Sequence, residues 1–426
     1  MNISLNNVST IRGEINIPPD KSLSHRAVMF NSIANGDAKI TNFLMGEDCL
    51  STIDVLRNLG VKIEVDGSNV YTYGKGLHSL QKPSELLYVG NSGTTIRLMS
   101  GILAGRNFES ILDGDSSIRK RPMKRIIDPL TMMGAKISAE NNNENAPIKF
   151  LGGKLSSINY ELPVASAQLK SALILAGLRA DSTVTIKEND VSRDHTERLL
   201  KGMGAKIKKE GLSINVSPSD LSANDLVIPG DISSAAFWMV AAAIHKNAEI
   251  NIINVGVNET RAGVISVLER MGANLNFTNN KEYSGEPVSD ITVKTSNLKG
   301  TVISGKEIPL LIDEIPIIAL AAVFAEGETK IVDAKELRYK ESDRISLTVD
   351  WMKKAGAKIE ELEDGMIING TNNIQGGTFS SHGDHRLAMT LGIASLVSKN
   401  KIEIENPEAA NVSYPTFWET LKGIGK

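Results

Sequence analysis

One phrase recurs along this chain and constrains its fold more than any other feature: an apolar helical stretch ends in glycine, and a short strand follows. The variants are LRNLG-VKIEV, LTMMG-AKISA, LLKGMG-AKIKK, LERMG-ANLNF and MKKAG-AKIEE, turning at Gly60, Gly134, Gly204, Gly272 and Gly356, with a sixth, LKGIGK, at Gly423. Glycine suits the residue after a last helical turn because the left-handed conformation there costs it no Cβ clash. Upstream of each lies a polar turn that opens an apolar, alanine-rich helix. With Asp20, Asn91, Ser166, Asp231, Asp313 and Asp384 as helix starts, the paired glycines follow 38 to 43 residues later. Between them comes a strand centred on Ile40, Ile111, Ile186, Ile252, Ile331 or Ile402, 18 to 21 residues after each start. The spacing predicts six α/β units, each a helix, a strand, a second helix and two further strands.

A chain of 426 residues is long for one core, so two domains are expected. The first and fourth units open alike, with Ile17-Pro18-Pro19-Asp20 and Ile228-Pro229-Gly230-Asp231. Proline and glycine there suit a chain crossing between two bodies. The sixth unit lacks its closing strands, while residues 1–17 read as strands with no helix before them. The expected domains are therefore 20–229, holding the first three units, and 1–19 with 230–426, holding the last three. A solenoid is the rival account, but its units are shorter and would not bring the N-terminus back to the last of them.

The formal net charge of −3 argues against a dedicated nucleic-acid binder. The lone Cys49 excludes an intramolecular disulfide and a cysteine-rich metal site, and fits a reducing compartment. The opening MNISLNNVSTIRGEINI alternates like a strand and lacks the apolar core of a signal peptide. The longest nearly apolar runs, 235–244 and 315–325, are about half a bilayer span. A cytoplasmic monomer is expected, with neither membrane nor nucleic acid as partner.

The helix starts carry unusual residues for positions that naturally attract anions. The first reads Asp20-Lys21-Ser22-Leu23-Ser24-His25-Arg26, so that Lys21, Ser22 and Arg26 can face one ligand. The second reads Asn91-Ser92-Gly93-Thr94-Thr95-Ile96-Arg97, where Gly93 admits close backbone approach and Arg97 buttresses the turn. The third, Ser166-Ala167-Gln168, is small and hydrogen-bonding, as a phosphate or hydroxyl site requires. The fifth and sixth offer Asp313-Glu314 and Asp384-His385-Arg386; a carboxylate there is either a helix cap or a candidate base. Loops before the second helices are equally loaded: Ser116 to Met123 with Arg119, Lys120 and Arg121; Ser192-Arg193-Asp194-His195-Thr196-Glu197; and Lys340-Glu341-Ser342-Asp343-Arg344. Singly, each is as well explained by a solvated charge, an N-cap serine or an i,i+4 ladder. Their recurrence at equivalent points favours a site. No spacing matches a P-loop, a dinucleotide fingerprint or a His/Cys metal cluster.

In order, DKSLSHRA, NSGTTIRL, IRKRPM, SAQLKS, SRDHTE, GDISSAA, LLIDEIP, ELRYKESDR and GDHRLAM resemble the 5-enolpyruvylshikimate-3-phosphate synthases, the enolpyruvyl transferases of the shikimate pathway, over essentially the whole chain. The resemblance implies a two-domain enolpyruvyl transferase fold of six βαβαββ repeats, three per domain, around a central interdomain cleft. It implies that Lys21, Gly93, Arg121, Gln168, Arg344 and Arg386 hold phosphoenolpyruvate, and that Lys21, Ser22, Arg26, Ser166, Ala167, Gln168, Arg193, Asp313 and Lys340 hold shikimate 3-phosphate. Asp313 would be the base and Glu341 the acid, supported by Lys21 and His385, with no metal or organic cofactor. The two substrates bring about six negative charges, which these cations would balance. Four positions depart from the family pattern. Ala167 stands for a second serine, Arg193 for a tyrosine, Glu336 for an asparagine and Val412 for a phosphate-binding lysine. Two alternatives remain. The sister transferase acting on UDP-N-acetylglucosamine usually has a cysteine where residues 114–123 have none; a non-catalytic anion-binding protein would gain little from carboxylates beside its anions.

Overall fold

Five of the recurrent glycines turn as their spacing requires. In the computed structural model, which describes residues 2–426, Gly60, Gly134, Gly204, Gly272 and Gly356 have φ of 85, 96, 93, 90 and 85°. Gly423 does not. It lies inside the helix Phe417–Ile424, whose cap is Gly425 at φ −94°. No strand follows that helix, so no left-handed turn is needed; the C-terminus instead bonds to residues 9–11, with Lys426 and Thr10 exchanging main-chain hydrogen bonds.

The chain divides into two compact units, one comprising 1–18, 229–281 and 287–426, the other 19–228 with the turn Glu282–Glu286. The second unit holds three four-stranded sheets with one plan. In its first sheet Asn35–Thr41 runs parallel to Leu226–Val227 and antiparallel to Asn69–Lys75, which carries Lys62–Asp66 at its far edge. The sheets around Ser110–Asp113 and Val184–Lys187 repeat this order. Residues 226–227, at the end of this stretch of chain, thus complete the sheet that its beginning lacks.

The other unit repeats the plan with the N-terminus filling two gaps. Ile11–Asn16 pairs parallel with Ala248–Gly256 in the fourth sheet, and Asn2–Leu5 pairs antiparallel with Ile402–Glu405 as the third strand of the sixth. The fifth, around Glu328–Ile331, is complete in itself.

Each unit has its own hydrophobic core, and the first helices of the repeats run through it. In Ile232–Ile244 every residue but the last is buried, and in Ile315–Val323 all are. Helices apolar on every face have no stable place except a core. Gly93–Leu103 and Ala167–Gly177 pack so closely that a Cβ on Gly101 would sit 2.2 Å from the Ala172 carbonyl oxygen. The polar residues that open these helices, Asp20, Ser92, Asp231 and Asp384, are buried too, and the candidate residues lie at these turns. Among the described residues no helix is long and apolar enough to cross a membrane.

Candidate functional site

The candidate residues fall into two clusters, one in each unit. In the unit of residues 19–228, Asp20 caps Lys21–Ser32 by accepting from Leu23 N at 2.8 Å. The cap leaves Lys21 and Ser22 in the first turn and Arg26 one turn on. Lys21 Nζ lies 2.9 Å from Asp48 Oδ2. Arg26 is nearly buried; it donates to Thr196 Oγ1 at 2.8 Å, Ser171 Oγ at 3.1 Å and the Ser22 carbonyl at 3.0 Å. The Ser171 and Thr196 hydroxyls are themselves 2.6 Å apart.

In the second repeat the cap is Ser92, one residue beyond the expected Asn91, which frees the Asn91 side chain to accept from Arg121. Gly93 opens the helix beneath two guanidiniums. A Cβ there would stand 2.9 Å from Arg121 Nη1 and 3.1 Å from Arg97 Nη1. Arg97 donates to Gln168 Oε1 at 2.6 Å, and Gln168 Nε2 to Thr94 Oγ1 at 3.2 Å. Ser166 caps Ala167–Gly177 with a long 3.4 Å bond from Leu169 N, leaving capacity on its hydroxyl for another donor. Arg193 lies half-buried in the coil before the helix His195–Gly202. Behind the first two helices a chain of hydroxyls joins His25, Thr52, Thr95 and Ser92, with steps of 2.7, 2.6 and 2.7 Å. Burial drives the His25 pKa down to about 3, with Lys21 and Arg26 acting in the same direction against Asp48, so the ring is neutral at pH 7.

The other unit gathers the acids. Arg344, 1 % exposed, is 2.6 Å from Glu341 Oε2, 2.9 Å from Asp384 Oδ2 and 3.3 Å from Asp313 Oδ1. Lys340 Nζ approaches Asp313 Oδ1 at 3.1 Å. Asp384 also accepts from Ser342 Oγ at 2.8 Å and caps His385–Ser395 through Arg386 N at 2.8 Å, which fixes His385 and Arg386 at the helix mouth. Arg386 Nη1 stands 3.6 Å from Glu314 Oε1, and Glu314 accepts from Ser233 Oγ. Asp313 and Glu314 lie in the 3-10 turn Ile312–Glu314 that leads into the fifth helix; Glu314 holds the N-cap position without a side-chain capping bond, so neither carboxylate caps the helix. Burial alone would lower the pKa of Arg344, but Asp384, Glu341 and Asp313 outweigh it and raise it. Burial works against the charged form of Asp384 too, and the charges of Arg344 and His385 overcome it, holding the carboxyl below its usual range.

One cluster therefore gathers hydroxyls, amides and guanidiniums, and the other gathers carboxylates against cations. A family model described as EPSP synthase (3-phosphoshikimate 1-carboxyvinyltransferase) matches residues 5–421. The chain belongs to the EPSP synthase family. The 3-phosphoshikimate 1-carboxyvinyltransferase of Thermoanaerobacter sp. (strain X514) is 52% identical over 422 residues, 99% of each chain. That of Bacillus subtilis (strain 168) is 52% identical over 421 residues, 98% of each. The solved EPSP synthase from Acinetobacter baumannii superimposes with a TM-score of 0.88 at 42% identity, covering 100% of this chain and 98% of that one. The α/β two-domain enolpyruvyl transferase fold follows with the family.

Several residues around these two clusters were less visible in the sequence reading. Asp48 and Thr52 contact candidate residues or their neighbours but fall in no motif, while Ser171, Glu314 and Ser233 lie inside motifs without a role having been read for them. Asp384 was read as a helix start and as a helix cap or candidate base. Its grip on Arg344, 40 residues away, has no local signal.

Proposed function

We propose that the protein transfers the enolpyruvyl group of phosphoenolpyruvate to the 5-hydroxyl of shikimate 3-phosphate, releasing phosphate, in the shikimate pathway of aromatic amino acid biosynthesis. The observation that carries this reading is the buried Arg344, which gathers Asp313, Glu341 and Asp384 about one guanidinium in a chain matched to the family over residues 5–421. Asp313 takes the proton of the acceptor hydroxyl as its oxygen bonds to C2 of phosphoenolpyruvate, and Glu341 delivers a proton to C3. The resulting tetrahedral intermediate loses phosphate when the C3 proton is taken back, so the same groups serve both halves. Lys21 and His385 support the proton steps.

Phosphoenolpyruvate is held by Lys21, Gly93, Arg121, Gln168, Arg344 and Arg386. Lys21, Ser22, Arg26, Ser166, Ala167, Gln168, Arg193, Asp313 and Lys340 hold shikimate 3-phosphate. Planar guanidiniums suit both carboxylate and phosphate oxygens. The protein acts as a cytoplasmic monomer with lobes 20–229 and 1–19 plus 230–426. Phosphate release measured with phosphoenolpyruvate and either shikimate 3-phosphate or UDP-N-acetylglucosamine tests the assignment. Turnover is expected with the first acceptor alone; activity only with the nucleotide sugar, or tight binding with no turnover, overturns it.

A further inference from the structure

Lys170 has no part in the roles assigned above, yet it is the most deeply buried ammonium whose surroundings lead to the proposed acceptor site. Its side chain is 0% exposed and lies 3.1 Å from Glu188 Oε1 and 2.8 Å from Glu197 Oε1, both carboxylates being buried as well. It also donates to the Ser192 carbonyl at 3.1 Å, and Ser192 Oγ donates to Glu188 at 2.5 Å. Lys209 Nζ, 3.8 Å from Glu188 Oε2, brings a second cation, so two positive and two negative groups meet. Removing such charges from water is costly, and an apolar cluster of equal volume often packs as well or better. Stability alone is therefore a weak reason for this arrangement.

Its position suggests another. Glu188 directly follows the strand Val184–Lys187, and Glu197 lies in the first turn of the helix His195–Gly202. One ammonium thus ties both ends of the connecting segment and its middle carbonyl. That segment carries Arg193 and ends at Thr196, the hydroxyl that receives Arg26 Nε. Next to Lys170 in sequence is Ser171, which receives the other branch of Arg26. We propose that Lys170, with Glu188 and Glu197, is a positioning residue for acceptor binding: it sets the segment whose Arg193 and Thr196 meet the phosphorylated acceptor directly and through Arg26. The inference rests on the reading above that Arg26 and Arg193 hold shikimate 3-phosphate.

A role in positioning predicts a split between kinetic constants that a general loss of folding would not produce. Lys170→Met alone would strand two buried carboxylates, so the informative variant is the neutral triple Lys170→Met/Glu188→Gln/Glu197→Gln, with Glu197→Gln as a milder second. Steady-state phosphate release is measured with each substrate varied in turn, and thermal melting is recorded alongside. KM for shikimate 3-phosphate should rise about tenfold in the triple variant, the scale of one charge-assisted hydrogen bond lost. KM for phosphoenolpyruvate and kcat should stay within about twofold of wild type on the same reasoning. Glu197→Gln should move the same constant in the same direction by a smaller factor.

Folded variants with the wild-type KM for shikimate 3-phosphate overturn the inference, as does an equal fall in all three constants. If the triple variant does not fold, Glu197→Gln decides by the same criterion. Should the wild-type protein itself fail to turn over shikimate 3-phosphate, the functional reading falls first and this inference with it. Wild-type turnover beside unchanged variants sinks the inference alone.

Discussion

In the unit of residues 19–228, Arg26, Arg97 and Arg121 contact hydroxyls, side-chain amides and a carbonyl. In the other unit Arg344 contacts three carboxylates and Arg386 approaches a fourth. Hydroxyl, amide and carbonyl acceptors fix the plane of a guanidinium, which is what bidentate approach to a planar anion requires. A buried guanidinium instead favours the charged form of a carboxylate beside it, as at Asp384, whose carboxyl it holds below its usual range; Glu341, the proposed acid, must carry a proton before it can deliver one. On the function proposed above, arginines of both units hold ligand, and Arg344 also ties together the carboxylates assigned to proton transfer.

The sharpest way to break that contrast is to remove Arg344. Arg344→Met would leave Asp313, Glu341 and Asp384 facing one another with Asp384 fully buried, and should cost about 3–5 kcal/mol of stability, the range for a buried ion pair deprived of one partner. Urea unfolding followed by fluorescence measures it. A loss below about 1 kcal/mol would show that the carboxylates find other partners, and the contrast would fail. The next largest effect falls on chemistry. Glu341→Gln keeps Arg344 paired with Asp313 and Asp384, so the protein should fold and bind both substrates while kcat drops at least about a hundredfold, the scale of general acid catalysis. Near wild-type turnover would remove Glu341 from its role.

How much of this was legible beforehand depended on whether the signal was local. The turn glycines announced themselves because a left-handed cap narrows the choice of residue type. Asp20, Ser166, Asp231 and Asp384 were read correctly as helix starts, and each accepts a main-chain N–H at its cap. The other two starts were one residue early: Ser92 caps after Asn91, and Glu314 holds the N-cap position after Asp313 without a side-chain capping bond. Gly423 misled because the phrase around it persists although the strand that gives such a glycine its purpose is missing. Ion pairing was the least visible layer. Lys340, Glu341 and Arg344 allowed a local ladder but were read as part of a site; Arg344 does reach Glu341, while Lys340 turns to Asp313 and Arg344 to Asp384, 27 and 40 residues away. Nothing in a single sequence fixes such partners.

Acid should separate the two units. His25 has its folded pKa lowered to about 3 against an unfolded value of 6.5. The unfolded chain therefore binds the extra proton first, so the stability tied to the neutral ring is complete above pH 6.5 and drains away as pH falls toward 3. Asp384 is also depressed, but from 3.8, so what it contributes is present above that value and is lost only below it. Between pH 6 and pH 4 the His25 linkage should cost about 2–3 kcal/mol. Hydrogen exchange measured by peptide should show Lys21–Ser32 losing protection over that interval before His385–Ser395 does. His25→Gln should flatten the difference. Parallel loss in both helices would mean that the units unfold together or that other groups dominate.

The smallest expected effect tests the neutral-acceptor side of the comparison. Arg26→Lys preserves the charge but replaces a fork that reaches Thr196, Ser171 and the Ser22 carbonyl at once with a single ammonium. If the fork matters because neutral acceptors aim it, KM for shikimate 3-phosphate should rise about tenfold while KM for phosphoenolpyruvate and kcat hold, since one oriented charge-assisted bond is worth about that much. Adding Thr196→Val should then cost less in the lysine background than in wild type, because the hydroxyl no longer has a guanidinium to orient. Equal costs in both backgrounds would mean that Thr196 and Arg26 act independently, and that the acceptor phosphate needs positive charge nearby but not the aimed guanidinium.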